Sequence, residues 1–213
     1  MEETCVAVLK YCNAEFAYSQ SDEISLLLRN DKSENQTPFL GNRVQKLVSL
    51  LASTASVAFS RETGLTAVFD GRCFVLPPNE VVNYFIWRQE DAFKNYVSSM
   101  AYYGLKERHG RKKAQRRLHK KSINERQEII YQELGKNPNS GSPQRKRGFL
   151  VERETYEATI GEVITQESKL EELIAEGHIK SRNGKVTRSH YAVRRDLPRF
   201  TKNRDYILTR ITQ

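Results

Sequence analysis

Cysteine, tryptophan and methionine are scarce in this chain, which has 3 Cys, 1 Trp and 2 Met in 213 residues. Cys5, Cys12 and Cys73 are too few and too scattered for a disulfide framework, and Cys5 and Cys12 lack the spacing of a zinc knuckle. His109, His119, His178 and His190 are dispersed through basic or late segments, so no tetrahedral metal set can be built from the sequence. The thiols are read as reduced and partly buried. Long apolar runs are also missing. Nothing approaches the roughly 18 apolar residues of a membrane span, and the start, MEETC, has no basic-then-apolar signal pattern. The expectation is a soluble, cytoplasmic protein with no membrane partner.

An apolar fraction of 38% is enough for a core and excludes wholesale disorder. The length suits one domain of ordinary size, or one domain with an appended arm. No internal repeat is visible. Lys and Arg together number 35 against 26 Asp and Glu, a formal charge of +9, and the excess is clustered. Lys106 to Lys121 reads KERHGRKKAQRRLHKK, with Glu107 its only acid. Arg145, Lys146 and Arg147 follow, and Arg194, Arg195, Arg199, Lys202 and Arg204 crowd the end, while Glu152 to Glu176 is mostly acidic. Cations at this density favour a polyanion partner, because neutralised phosphates release condensed counterions. A solvated helix face is the plainer alternative. An anionic membrane surface fits less well, since the stretch has almost no large apolar residues to insert.

Hydrophobic spacing predicts a short helix over 2–13, with Val6, Leu9 and Val8 inward. Phe16 and Tyr18 on one side and Ile24 to Leu28 on the other predict a hairpin around the polar turn Ser19 to Glu23. A polar loop follows over 30–38. From Gly41, the positions Val44, Leu47, Val48, Leu51, Ala55, Ala58 and Phe59 predict a helix that Gly64 stops. LTAVFDGRCFVL, Leu65 to Leu76, reads as a strand turned at Asp70-Gly71. Pro77-Pro78-Asn79 opens a long helix with Asn79 as cap and Gly104 as stop. The basic segment and Ile123 to Leu134 predict two more helices, the second ended by Gly135. The loop KNPNSGSPQRKRG reads as mobile, and Phe149–Val151, Val186–Val193 and Asp205–Ile211 as further strands. The fold class is α+β, an antiparallel sheet with helices on one face. The expected division is a catalytic domain over 1–135, completed by a basic loop and C-terminal segment over 136–213.

Asp22-Glu23 is the sharpest chemical feature. A tight turn holds adjacent carboxylates at a rigid sheet edge. Magnesium prefers hard oxygen ligands, takes few carboxylates, and fills its shell with water and substrate phosphates. Two such ions can activate an attacking hydroxyl and stabilise a leaving pyrophosphate. Exposed acidic turns are common, however, and the pair alone decides nothing.

The surrounding residues carry more. YSQSDEISLLL, residues 18–28, resembles the metal-binding hairpin of the tRNA-histidine guanylyltransferase family, whose members carry YGQSDE. RVQKLVSLLASTAS, with Arg43 and Lys46, resembles the family's R-x-x-K helix. FDGRCFVLPPNEVVNYFIWRQEDA, residues 69–92, resembles its FDGR strand, proline turn and WRQ-x-D helix. NERQEIIYQELGKNPN and the basic loop after it resemble its tRNA-facing segment. The likeness covers roughly residues 4–155.

The resemblance implies a polymerase-like palm and nucleotide addition to a tRNA 5′ end in the 3′-to-5′ direction. GTP and ATP would be substrates, with two magnesium ions as cofactors. Asp22 would ligate the metals with Glu23 supporting, both counting as catalytic and metal residues. Ser21, Asp22, Arg43 and Lys46 would bind the nucleotide, the last two by charge and, for Arg43, a bidentate fork. Lys112, Lys113, Arg116, Arg117 and Asn95 would face tRNA. Asp70 and Arg72 would form a structural or nucleotide-proximal element, with Trp87, Arg88, Gln89 and Asp91 packing the helix on the sheet and Trp87 in the core. A homo-oligomer, tetrameric by resemblance, is implied. Two departures stand out. The family's N-terminal D-G-R strand would precede Met1. The HINN-x-YN motif is replaced by Phe93-Lys94-Asn95-Tyr96-Val97-Ser98-Ser99, which points to repair-type relatives that refill 5′ ends. The competing readings are a catalytically impaired RNA-binding relative and a palm-type nucleotide cyclase, and the basic segment argues against the cyclase.

Overall fold

The computed structural model describes residues 1–29, 37–178 and 184–212; the polar loop predicted over 30–38 lies largely outside them. The described elements run α1 (Glu2–Cys12), β1 (Phe16–Gln20), β2 (Glu23–Leu26), α2 (Val44–Thr63), α3 (Pro78–His109), α4 (Arg111–Leu118), α5 (Ile123–Leu134), α6 (Pro143–Arg147), β3 (Phe149–Thr159), α7 (Ile160–Val163), α8 (Glu167–Ala175), β4 (Lys185–Arg194) and α9 (Asp205–Thr212). The sheet order is β2-β1-β3-β4, and the class is α+β, as its composition of helices and strands predicts. Two compact units divide the chain, Met1–Val151 with Val193–Gln213, and Glu152–Ala192.

Within the first unit, β1 is buried along its whole length. Phe16 and Tyr18 pack with Val81, Val82 and Phe85 of α3, Leu150 of β3, Leu197, Phe200, and Ile207 and Ile211 of α9. A second core lies between Val97, Ala101 and Leu105 of α3, Ala114 and Leu118 of α4, and Ile129, Ile130 and Leu134 of α5. The long helix therefore serves both, its first half against the sheet and its second half against α4 and α5.

Several boundaries depart from the sequence expectations for physical reasons. In α1 it is Cys5, Val8, Leu9 and Cys12 that are buried, while Val6 is half-buried. The helix α3 begins two residues earlier than a cap at Asn79 would place it, with Pro78 in its first turn and Pro77 preceding it, a placement that exploits proline's missing N–H. It also runs through Gly104 to His109. A Cβ at Gly104 would come within 2.4 Å of Leu134 Cδ1, so this glycine lets α5 approach rather than ending the helix. Leu65 to Leu76 forms no ladder. Its amides are met by helix hydroxyls instead, Ala67 N–H donating to Ser60 Oγ at 3.2 Å and Phe69 N–H to Ser56 Oγ at 2.9 Å. Residues 136–148 fold into a 3-10 turn and α6. Asp205–Thr212 is helical, because Ile207 and Ile211, four apart, share one buried stripe.

The second unit consists of most of β3 and β4 with α7 and α8 between them, and Ala158, Ile160 and Leu170 are its buried apolar residues. Lys185 Nζ meets Glu157 Oε2 at 2.9 Å across the strands, and Tyr156 and His190 rings lie 5.7 Å apart.

Candidate functional site

β1 and β2 pair antiparallel with Gln20 opposite Glu23, so the turn is two residues, Ser21-Asp22, tighter than the five-residue stretch the sequence suggested. Ser21 takes a left-handed φ of 51°. The buried Ser19 hydroxyl donates to the Glu23 carbonyl at 2.9 Å and closes the turn from inside. Asp22 is thereby exposed at the tip, and it has no ion-pair partner among the described residues.

Glu23 has a different environment. Arg88, 8% exposed on α3, donates from Nε to Glu23 Oε1 at 2.8 Å and from its terminal nitrogen to Oε2 at 2.6 Å. The same guanidinium lies 3.3 Å from Asp91 Oδ2 and 4.5 Å from the Trp87 ring centre. Asn95 donates to Asp91 Oδ2 at 3.2 Å, so this expected RNA contact joins the same network. Ser25 Oγ and Tyr84 Oη, 2.9 Å apart, tie β2 to α3 beside it. Burial pushes the Tyr84 and Tyr18 hydroxyls above the usual tyrosine range. Gln89 fastens α3 on its other side, donating to Pro198 O at 3.0 Å and accepting from Phe200 N–H at 2.8 Å.

Trp87 is 55% exposed, not in the core as the sequence suggested. Local pattern could not reveal Arg88 as Glu23's partner, since the two lie 65 residues apart. The family resemblance placed Arg88 among the residues that pack the helix on the sheet, without its partner.

Arg43 directly precedes α2 and Lys46 sits in its first turn, both exposed; Arg43 is therefore the residue before the helix, not part of it. No side chain caps this end, and the chain enters it through Leu40, Gly41 and Asn42 with φ of 53°, 62° and 56°. Cations at a helix N-terminus oppose the macrodipole, a placement that an anion reverses. Asp70 and Arg72 are exposed and face each other at 3.5 Å. A Cβ at Gly71 would come within 2.5 Å of Val48 O, so this turn lies directly on the α2 backbone.

Lys112, Lys113 and Arg116 are exposed on α4. Arg117 instead bonds Glu133 on α5, at 2.7 Å from Nε, and braces the helix pair.

Among the described residues no three His, Cys, Asp or Glu side chains converge as a metal cluster. Asp22 fits the part of a single carboxylate on a nucleotide-borne magnesium ion, whose remaining ligands are water and phosphate. Glu23 does not fit as a ligand while both its oxygens hold Arg88. A second ion about 4 Å away would need donors beyond Asp22.

The architecture is that of an α+β protein with a palm-like sheet and a turn-borne carboxylate. The chain belongs to the tRNAHis guanylyltransferase family: that family's profile matches residues 1–77, and that of the Thg1 C terminal domain matches residues 79–194. A bacterial tRNA(His) guanylyltransferase (Thg1)-like protein in complex with ATP superposes with a TM-score of 0.73 at 28% identity, over 99% of this chain and 77% of that one. A structure of such a protein with GTP gives 0.66 at 29%, over 100% and 76%. The tRNA(His) guanylyltransferase of Debaryomyces hansenii is 31% identical over 65% of this chain and 56% of its own length, and that of Saccharomyces cerevisiae 29% over 68% and 66%. The chain thus spans little more than half of the first of these relatives. No helix among the described residues is long and apolar enough to cross a membrane.

Proposed function

We propose that this chain carries the nucleotidyl-transfer centre of a guanylyltransferase acting at tRNA 5′ ends, adding nucleotides in the 3′-to-5′ direction and refilling truncated ends. The observation that carries this reading is the turn itself: a tight hairpin, closed from inside by Ser19 and fixed to α3 by Arg88, presents Asp22 to solvent. In the family chemistry, an oxygen of the RNA 5′-phosphate attacks the α-phosphate of ATP and releases pyrophosphate. The 3′-hydroxyl of GTP then attacks the activated 5′-phosphate and expels AMP. Both steps move charge onto phosphate oxygens, which fixed cations and dipoles stabilise. Ser21 and Asp22 would lie against the nucleotide, with Arg43, Lys46 and the free α2 amides on its phosphates. Magnesium, when bound, would neutralise phosphate charge beside Asp22. Glu23, held by Arg88, acts on the turn's shape. Lys112, Lys113 and Arg116 supply the field that draws tRNA to the surface. The tetramer implied by the family resemblance and a cytoplasmic setting belong to the same proposal.

A second reading, an RNA-binding relative without transfer, is favoured by the engagement of Glu23 with Arg88. Incubation with labelled GTP, ATP and a 5′-phosphorylated, 5′-truncated tRNA separates them. Transfer by the wild-type chain, abolished in a normally folded Asp22→Ala variant, is the expected result. RNA binding without transfer would support the second reading, and near-normal transfer by Asp22→Ala would remove this turn from the chemistry.

A further inference from the structure

A groove of about 530 Å³ opens along the second half of α3 where α4 turns into α5. Ser98, Ser99, Tyr102 and Tyr103 line it from α3, and His119 and Lys120 from the turn. None of these residues has a part in the hairpin site. Three features give the groove the character of a ligand site.

Its aromatic wall reaches solvent: Tyr103 is 63% exposed, with its ring 5.2 Å from that of Tyr102 and Lys106 Nζ 5.8 Å over its centre. Its cationic end is built with local strain. Lys120 takes a left-handed φ of 55°, which a side chain with a Cβ rarely adopts. Arg126, another lining residue, holds that turn by donating to Lys121 O at 3.0 Å and, more weakly, to Leu118 O at 3.5 Å. Finally, the groove continues the basic face of α4. Lys112, Gln115 and Arg116 follow the i, i+3, i+4 spacing of one stripe of α4, and His119 is the residue just past its end, all exposed; Gln115 and His119 also line the groove.

Aromatic faces, hydroxyls and cations together suit a nucleotide, whose base stacks and whose phosphate takes charge. We propose that the groove holds one unpaired nucleotide of a bound RNA, its base against Tyr103 and its phosphate at Lys120 and His119. A free nucleotide offers the same chemistry, but the continuous basic stripe favours a chain of phosphates passing from α4 into the groove. This rests on the reading that the protein binds RNA.

The test measures binding of a blunt RNA duplex and of the same duplex with a single-stranded overhang, to wild type, Tyr103→Ala and Lys120→Gly. Glycine suits the left-handed turn, so Lys120→Gly removes the charge without disturbing the fold. Base stacking on an aromatic side chain is strong enough that Tyr103→Ala should weaken overhang binding about tenfold and leave the blunt duplex unchanged. Lys120→Gly should lower the salt slope for the overhang by about one. Charge reversal at Lys112, Lys113 and Arg116 serves as the control on the parent reading. If that reversal leaves both RNAs bound as before, RNA binding through α4 is wrong and this inference falls with it. If the reversal weakens binding while both groove variants bind the overhang like wild type, the groove inference alone is overturned. Competition by GMP as effective as by the overhang strand would make the groove a free-nucleotide site and overturn the RNA assignment.

Discussion

Removing Arg88 tests how the hairpin is held in place. Its side chain is 10% exposed, and its two carboxylate partners are 40% exposed for Glu23 and 35% for Asp91. Breaking a fully buried ion pair by deleting one member costs about 3–5 kcal/mol, chiefly because a buried charge is left unpaired. Here the charges left behind are carboxylates more than a third exposed, which water can partly screen, so the loss falls to about 2 kcal/mol. The guanidinium over Trp87 adds up to about 1 kcal/mol. Arg88→Ala should therefore destabilise the protein by about 2–3 kcal/mol in urea titrations, lowering Tm by ~5–10 °C in a unit of this size.

A double-mutant cycle with Glu23→Gln isolates the pair, with an expected coupling of about 1–2 kcal/mol. Arg88→Lys keeps the charge but loses the fork, and should recover only part of the loss. Coupling between a buried donor and its acceptor should survive 0.5 M NaCl, where an exposed pair would fade. A loss below about 0.5 kcal/mol for Arg88→Ala, or a coupling near zero, would refute the view that Arg88 fixes the hairpin.

Gly148→Ala should cost about 3 kcal/mol or abolish soluble expression, because Gly148 has φ of 72° and an added Cβ would meet Ser19 O at 2.2 Å; a Tm within 2 °C of wild type would contradict that packing. Cysteine labelling at pH 8 should modify Cys73 alone in the folded protein and all 3 thiols once unfolded. Burial raises Cys12 and pushes Cys5 up to about 12 from 9.0, so stability from keeping the Cys5 thiol neutral is complete below pH 9 and is lost as pH rises from there towards 12. Equal labelling of Cys5 and Cys73 in the native state would refute the burial.

The helices legible in the sequence were those whose stripes and stops agreed. In α2 and α5 the apolar spacing ends at Gly64 and Gly135, whose φ of 71° and 66° suit glycine. Where a local signal had two physical outlets, the pattern could not choose. Gly104 breaks an isolated helix, but here it makes room for Leu134, a residue 30 positions away. Leu65 to Leu76 has strand composition, yet a strand exists only when another lies beside it. Serines of α2 took its amides first. The last segment, over 205–212, was too short to separate alternation from helical spacing. Likewise Asp22-Glu23 was visible as a turn, while the arginine that distinguishes the two lies on another element.

The different positions of these neighbouring carboxylates follow from register. Gln20 pairs with Glu23, so Glu23 is the first residue of β2, its backbone in the ladder and its side chain committed to α3. Asp22, one residue earlier, has no strand partner and stands in the turn. Adjacent side chains in a strand point to opposite faces, so a one-residue slip of the pairing would exchange the roles, sending Asp22 to Arg88 and Glu23 to solvent. Ser19, donating to the Glu23 carbonyl, and the two Arg88 bonds oppose that slip from either side of the strand. A carboxylate's role is set by its surroundings more than by its residue type. In this hairpin, the contacts that hold Glu23 are also what keep Asp22 at the tip.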